Sequence, residues 1–301
     1  MCRTDSGSGQ AATIFLAIFL PLEYIQLQFN PKSDCIGKRS SLPYFTTQDD
    51  GILYYELLGQ GPGKPTISFI NGTLQTTMYW KTIGKNLADR FRLLLYDCRG
   101  QGESDLGDQP LCLKQHMQDL QALLYGLKIH KTHIVGISHG ARIALALAGE
   151  RPEMVARMVL CSISTHATTR ARMIVRSWLE ILQRHSLDAM VWAAVPHVFG
   201  SQYLKENSKI LERIVKTIVR RNHTRALRAH LEAMQHYPPL KSAIVRAPFL
   251  TLVLSGEDDP LVTAAGSREI AQICGGRYQE LQGIGHSIPA EAPGLFTKLL
   301  S

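Results

Sequence analysis

Residues 133–148 read His133-Ile-Val135, then Gly136-Ile-Ser138-His-Gly140, then Ala141-Arg-Ile-Ala-Leu-Ala-Leu-Ala148. The first part is a short apolar run typical of a buried strand, and the last part is a run of good helix formers. Between them stands the pattern G-x-S-x-G, whose serine occupies a tight, strained turn between strand and helix. Glycines two residues on either side of Ser138 let the strand and the helix approach without side-chain collision. We therefore expect the serine hydroxyl at a helix N-terminus, where free N–H groups favour developing negative charge.

Short, nearly continuous apolar runs recur on both sides of this segment, as strands buried on both faces of a parallel sheet do. These runs are Thr66–Ile70, Leu93–Tyr96, His133–Val135, Met158–Cys161 and Leu250–Leu254. Helical stretches at Leu113–Leu127 and Ala141–Gly149 alternate with them, and an Asp-Gly hairpin signal joins Tyr44–Thr47 to Ile52–Leu57. The sequence therefore predicts an α/β fold with a mostly parallel central sheet and helices on both faces.

Residues 165–242 contain no strand-like run and predict a helical insertion. Helical periodicity is present in Ile174–Arg184, Lys209–Arg221 and Arg225–Met234. Thirteen Lys and Arg against five Asp and Glu give residues 165–245 a net charge of +8, which equals the net charge of the whole chain. Such a surface is typical either of a solvated helix face or of a site for an anionic partner. The predicted organisation is an N-terminal extension (1–41), a core (42–164 and 243–301) and a basic helical cap (165–242).

Composition and cysteine spacing restrict the class of protein. The chain has 301 residues, of which 45% are hydrophobic and 19% charged, so it is long and apolar enough to bury a core. Its six cysteines are scattered, with no CxxC pair and no neighbouring histidine cluster in the sequence. The sequence therefore predicts no metal, no redox motif and no organic cofactor, and it favours a reduced, cytoplasmic compartment.

The first 41 residues are interpreted as an extension outside the folded core. The apolar run Ala11–Leu20 is cut by Pro21, well short of the roughly 20 residues that a membrane-spanning helix needs. Its flanking charges offset each other, and no small-residue cleavage site follows. Secretion or peripheral membrane attachment through residues 11–22 is therefore the less favoured alternative.

The serine needs two partners, because a serine of ordinary acidity is a weak nucleophile. A histidine base and a carboxylate that orients it are expected in the chain order Ser, Asp, His. Acids follow a predicted strand in Ser255-Gly-Glu-Asp-Asp259. Of eleven histidines, His286 alone lies in a glycine-flanked loop between a strand-like stretch and the final helix. The order predicts Ser138 as nucleophile and His286 as base, and leaves Asp258 and Asp259 as candidates for the acid.

An oxyanion formed at the substrate carbonyl needs two backbone N–H donors, one after the nucleophile and one from the loop after the third strand. His139 and Thr73 are predicted to supply them. Asn71, Gly72, Trp178 and Trp192 are predicted to contact substrate. A plain β-turn at Asn71-Gly72 and helix packing by the tryptophans are the alternative explanations.

Five segments together resemble the α/β-hydrolase superfamily, in its branch of capped esterases, lactonases and cofactor-free haloperoxidases. The segments are Phe69–Thr73, Tyr96–Ser104, Gly136–Gly140, Gly256–Asp259 and Gly285–His286. The resemblance implies that the acid is Asp259, three residues after Gly256, with Asp258 the weaker candidate. Asn71-Gly72 stands where the family often has His-Gly, and this departure resembles the 3-oxoadipate enol-lactonase type.

The resemblance implies a serine hydrolase that cleaves a carboxylic ester, thioester or lactone of a small molecule through an acyl-enzyme, without a cofactor. Its likeness to pimeloyl acyl-carrier methyl ester esterases adds an acidic acyl carrier protein as a candidate partner of the basic cap. Neither nucleic acid nor firm membrane association is expected. Two alternatives use the same residues: a receptor that keeps the triad to capture a ligand without turnover, and a haloperoxidase or perhydrolase.

Overall fold

The computed structural model describes residues 43–240 and 248–300, which belong to a compact unit that begins at Pro43. Eight strands in these residues form one sheet. They are β1 (Tyr44–Thr46), β2 (Ile52–Leu58), β3 (Thr66–Ile70), β4 (Arg92–Tyr96), β5 (Thr132–Ile137), β6 (Val155–Cys161), β7 (Leu250–Gly256) and β8 (Arg277–Leu281). The order across the sheet is β1-β2-β4-β3-β5-β6-β7-β8. β1 and β4 pair with β2 antiparallel, and the pairings from β4 to β8 are parallel.

Helices connect the parallel strands. They are α1 (Thr77–Lys85), α2 (Leu113–Gly126), α3 (His139–Glu150), α4 (Thr169–Arg184), α5 (Leu187–Val198), α6 (Ser201–Glu206), α7 (Leu211–Arg220), α8 (Thr224–Met234), α9 (Ala264–Cys274), α10 (Ile288–Glu291) and α11 (Pro293–Leu300). Short 3₁₀ turns at Pro152–Met154 and Ser208–Ile210 precede β6 and α7. The predicted α/β fold with a mostly parallel sheet is confirmed.

The core has two apolar layers, one on each face of the sheet. Leu94 and Ile134 belong to the layer that α2, α3 and α9 cover, whereas their neighbours Leu95 and Val135 belong to the layer covered by α1 and α11. Successive side chains of a strand point to opposite faces, so a strand between two helix layers is buried on both faces and is mostly apolar. β3 is buried throughout its length, and its Ser68 hydroxyl bonds to Thr132 at 3.0 Å.

Five helices, α4 to α8, lie between β6 and β7 and are called the inserted helices below. No strand occurs in residues 165–240, as the lack of strand-like runs predicts. The Thr168 hydroxyl caps α4 by accepting from Ala171 N–H, so this helix begins five residues before the predicted Ile174. The sequence analysis missed α5 and α6. α5 is apolar on most of its surface and contains Pro196, and so lacks an amphipathic stripe.

A buried ion pair joins the β1–β2 hairpin to α2. The Arg99 guanidinium donates from Nε and Nη2 to the two carboxylate oxygens of Asp119, both at 2.8 Å, and from Nη2 to Asp49 at 2.8 Å. Paired donation of this kind satisfies a buried charge that would otherwise be costly. Arg99, which belongs to the segment Tyr96–Ser104, therefore stabilises the fold.

No helix within the described ranges is long and apolar enough to cross a bilayer. The four cysteines in these ranges are free thiols, of which Cys112 is exposed and the other three are buried. The predicted extension 1–41, with its apolar run, lies outside the described residues.

Candidate active site

Ser138 occupies the turn between β5 and α3. Its backbone has φ of +53° and ψ of −112°, the strained conformation that the G-x-S-x-G pattern predicts. α3 begins at the next residue, and the Ser138 N–H donates to the Cys161 carbonyl of β6 at 2.9 Å. The half-buried serine is therefore fixed at the carboxyl end of β5 and at the N-terminus of a helix.

The two flanking glycines are required by close backbone approach. A Cβ atom on Gly136 would lie 2.6 Å from the Gly140 carbonyl oxygen, and one on Gly140 would collide with the backbone of Ile70 and Asn71. Side chains at these positions would push α3 away from β5 and β3. The predicted role of the glycines on either side of Ser138 matches this geometry.

His286 and Asp259 form a buried pair. The two side chains meet at 2.7 Å between Nδ1 and Oδ2. The other oxygen of Asp259 accepts from the N–H groups of Leu261 and Val262, at 2.8 and 3.2 Å. In the neutral imidazole, donation from Nδ1 to Asp259 leaves Nε2 with a lone pair.

The neighbouring acid has a different partner. Asp258 is exposed, and its Oδ2 accepts from the Ser201 N–H at the start of α6, at 3.1 Å. The two acids were open alternatives on spacing alone. The structure pairs Asp259, and not Asp258, with His286.

Ser138 and His286 bond to two adjacent residues at the end of β6. Ser138 N–H bonds to Cys161, and the Ser162 hydroxyl donates to the His286 carbonyl at 2.6 Å. The contacts of the described residues include no hydrogen bond between Ser138 Oγ and His286 Nε2. That predicted contact therefore stays a prediction.

The loop after β3 is held by side-chain bonds to its backbone. Gly72 N–H donates to Gln75 Oε1 at 2.8 Å, and the Gly72 carbonyl accepts from Gln101 Nε2 at 3.0 Å. Within the described residues, neither the Thr73 N–H nor the His139 N–H donates to another protein group. Both predicted donors are thus available, and their oxyanion role stays a prediction.

The Asn71 side chain has a structural role, and its predicted contact with substrate stays a prediction. It is fully buried, donates to the Tyr96 carbonyl at 3.0 Å and to Asp97 at 3.3 Å, and accepts from the Trp80 indole at 2.7 Å. These bonds occupy its donors and its acceptor, so it anchors the loop to the core. Burial raises the pKa of the adjacent Asp97 to about 6, and hydrogen bonds from Glu103, Thr77 and Asn71 oppose the rise.

The two tryptophans predicted to line an acyl site occupy different environments. Trp178 is buried in α4 and packs against His197 with ring centroids 6.0 Å apart, as the helix-packing alternative predicts. Trp192 is 41% exposed on α5. No described contact links either indole to Ser138 or His286. The predicted contact of the two tryptophans with substrate stays a prediction.

Glu291 is a site residue that the sequence analysis missed. Its carboxylate accepts from the N–H groups of Gly285 and Ser287, on either side of His286, at 2.9 and 3.1 Å. It also accepts from Gly200 between α5 and α6, at 2.8 Å. Burial raises the pKa of Glu291, and the three N–H bonds oppose the rise. Glu291 thus fixes the loop that carries His286 and joins it to the inserted helices.

Three buried histidines that are distant in sequence meet beside the oxyanion loop. His116, His139 and His230 each offer a ring nitrogen within 4.8 Å of the others, and the set has the composition of a metal-binding cluster. Only His139 was a predicted site residue, and for its backbone. The spacings of these histidines in the sequence match no metal motif. The sequence analysis, which predicted no metal, therefore gave no indication of the cluster.

Comparison with known proteins places the chain in a family. Residues 65–293 match the sequence pattern of the alpha/beta hydrolase fold family, so the chain belongs to that family. A Bacillus subtilis (strain 168) protein, provisionally named 2-succinyl-6-hydroxy-2,4-cyclohexadiene-1-carboxylate synthase, is 27% identical over 267 residues, which are 85% of this chain and 96% of that protein. A provisionally named carbamate hydrolase RutD of Azorhizobium caulinodans (strain ORS 571) is 26% identical and covers 83% of this chain and 94% of its own length.

Solved structures include esterases and lactonases. The enol-lactonase from Burkholderia xenovorans LB400 is 26% identical, with a TM-score of 0.77 over 86% of this chain and 98% of that chain. A thermophilic esterase from Thermogutta terrifontis, 22% identical, shares the fold with a TM-score of 0.75 over 88% of this chain and 97% of that chain. The predicted resemblance to the esterase and lactonase branch is confirmed, and the chain is a hydrolase of this fold.

Proposed function

We propose that the protein is a serine hydrolase that cleaves a carboxylic ester, thioester or lactone through an acyl-enzyme. The observation that carries the proposal is the arrangement at one edge of the sheet. Ser138 stands on a strained turn at a helix N-terminus, and the His286–Asp259 pair at 2.7 Å is tied to the same end of β6. A nucleophile, a base and a group that orients the base are the three parts that acyl transfer needs.

Acylation begins with attack by Ser138 Oγ on the substrate carbonyl carbon. His286 Nε2 accepts the hydroxyl proton as the Oγ–C bond forms, and Asp259 stabilises the resulting imidazolium through Nδ1–H. The N–H groups of Thr73 and His139 donate to the oxyanion. When the tetrahedral intermediate collapses, His286 returns the proton to the leaving oxygen or sulfur.

Deacylation repeats the same chemistry with water. His286 Nε2 removes a proton from the water as its oxygen attacks the acyl carbon, and the Ser138 oxygen leaves with that proton. The two bonds that Glu291 accepts from Gly285 and Ser287 keep the His286 loop in place through both half-reactions.

The inserted helices are proposed to receive the acyl group and an anionic partner such as an acidic acyl carrier protein. Arg170, Arg172, Lys205, Lys209, Arg225 and other basic residues of this segment are exposed. Several more basic side chains are occupied by acids one helical turn away, as Arg184 is by Glu180 at 3.0 Å. The exposed remainder supplies the positive field that attracts such a partner.

Replacement of the nucleophile tests the proposed chemistry. We expect Ser138→Ala to lower kcat/KM for a short-chain p-nitrophenyl ester by at least about 10³-fold, because the residual activity comes only from binding and the oxyanion donors. Ser177→Ala, at an exposed position of α4, is the matched control and should retain full activity. Circular dichroism checks that both variants are folded. A folded Ser138→Ala protein with most of its activity would refute the proposal.

A further inference from the structure

The cluster of His116, His139 and His230 joins three elements. His116 lies on α2, His139 is the first residue of α3, and His230 lies on α8 of the inserted helices. The side chains are 1–2% exposed. The His139 ring centroid lies 4.7 Å from that of His116 and 4.4 Å from that of His230, with the rings nearly perpendicular. The three imidazoles therefore face one another in the interior.

Most of their nitrogen atoms have no partner. Neither ring nitrogen of His116 or His139 has a hydrogen-bond partner among the described residues, and Nδ1 of His230 has none. Leaving a buried donor or acceptor unpaired is unfavourable. Ring packing alone leaves five buried polar atoms without a protein partner, so they are available to a ligand at the centre of the cluster.

Among the described residues, one hydrogen bond joins the cluster to the loop after β3. His230 Nε2 lies 3.0 Å from Thr73 Oγ1, and the same hydroxyl lies 3.5 Å from Met234 Sδ. A histidine metal ligand commonly has its second ring nitrogen held by an oxygen of the protein.

We propose that His116, His139 and His230 form a binding site for a divalent transition-metal ion of the Zn²⁺ class. Three imidazoles without a carboxylate suit Zn²⁺, Co²⁺, Ni²⁺ or Cu²⁺, whereas Ca²⁺ and Mg²⁺ require oxygen ligands. Zn–N bonds of about 2.0–2.1 Å place ligand nitrogens roughly 3.4 Å apart. The nitrogens lie within 4.8 Å of one another, so small side-chain rotations bring them to an ion.

The ion would bind α8 of the inserted helices to α2 and α3 of the core. Tyr237, whose ring stacks on that of His139 with centroids 5.7 Å apart, separates the cluster from a cavity of about 370 Å³ that it lines. The site also adjoins the oxyanion loop, since Thr73 holds His230. Metal binding is independent of the proposed hydrolysis and is tested without it.

The test measures metal content and affinity in the full-length, tag-free chain. The protein is stripped with EDTA, incubated with Zn²⁺, separated from free ion and measured by elemental mass spectrometry. Co²⁺ titration followed by visible absorption reports nitrogen coordination. We expect one ion per chain and a rise in Tm with Zn²⁺.

Two variants replace a ligand histidine by glutamine, a side chain of similar volume. His230→Gln and His116→Gln each remove one imidazole, and we expect at least about a 100-fold loss of Zn²⁺ affinity in both. His185→Ala removes an exposed histidine at the end of α4 and should bind like the wild type. Folded His230→Gln and His116→Gln proteins that bind Zn²⁺ as tightly as the wild type overturn the proposal. If both variants are unfolded, the Co²⁺ spectrum of the wild type decides, and the absence of absorption bands or of a retained ion overturns the proposal.

Discussion

The backbone at Ser138 holds a residue other than glycine at φ of +53°. A conformation of this kind costs about 1–3 kcal/mol and persists only where the surroundings impose it. Here the N–H bond to Cys161 and the close contacts of Gly136 and Gly140 impose it. The strain is localised at the residue whose hydroxyl must stand clear of the sheet.

Two adjacent aspartates allow a matched test of the proposed triad. Asp259→Asn should lower kcat by about 10⁴-fold, because an amide favours the wrong tautomer of His286. Asp258→Asn should leave kcat within about twofold, since Asp258 only accepts a bond from Ser201 at the surface. Both variants are assayed with the same p-nitrophenyl ester. Equal losses in the two variants would show that the pairing at 2.7 Å does not govern turnover.

Residues in local motifs could be predicted from the sequence, and residues brought together by folding could not. Ser138 and His286 stand in short glycine-flanked segments, and the resemblance to the α/β-hydrolase superfamily favours Asp259 over Asp258. His116 and His230 carry no such signal, because their partners lie 23 and more residues away. The bond from the Trp80 indole that holds the Asn71 side chain also could not be predicted from sequence spacing, and the contact of Asn71 with substrate stays a prediction.

At the scale of elements, the loop between β8 and α10 depends on one carboxylate. Glu291→Gln replaces an acceptor by an NH₂ group that faces N–H donors of Gly285, Ser287 or Gly200. We expect a loss of stability of about 1–3 kcal/mol in urea unfolding and a fall in kcat of about tenfold, because His286 loses its support.

The control for this variant is Glu257→Gln. Glu257 is exposed and accepts from the Gly283 N–H of the same loop at 2.9 Å. Its replacement should change neither stability nor kcat beyond error, because solvent can take over its hydrogen bond. If Glu291→Gln behaved like Glu257→Gln, the supporting role of Glu291 would be wrong.

The strands were predictable because burial on both faces demands continuous apolar runs, and β3 has the bounds that its run predicts. The inserted helices were harder. α4, α7 and α8 have one apolar face and show helical periodicity, whereas α5 is apolar on most of its surface and α6 has six residues. Periodicity cannot reveal a helix that lacks a polar face or has fewer than two turns.

At the scale of the whole molecule, the strand order brings distant segments to one edge. β5, β6, β7 and β8 are successive neighbours and parallel, so the turns after them lie along the same side of the sheet. Ligands of open α/β sheets bind at this side. The alternation of strands and helices predicted a parallel sheet, but not the position of β4 between β2 and β3, because apolar patterns do not specify strand neighbours.

The charge distribution gives a prediction at this scale. If the basic inserted helices receive an acidic acyl carrier protein, kcat/KM for an ester on that carrier should fall about tenfold between roughly 0.01 and 0.15 M salt. The Debye length shortens over this range from about 30 to about 8 Å. Hydrolysis of a small neutral ester is the control and should change less than twofold. Equal salt dependence of the two substrates would exclude charge-guided recognition of the carrier.

Covalent labelling of the nucleophile tests the proposed acyl transfer most directly. The wild type, Ser138→Ala and Ser177→Ala are incubated with a fluorophosphonate, and intact mass and peptide mapping locate the adduct. We predict one phosphonyl group per chain, on the peptide that contains Ser138, in the wild type and in Ser177→Ala, and none in Ser138→Ala. An adduct that persists in Ser138→Ala, or ester turnover by a wild type that is never labelled, would contradict the serine mechanism.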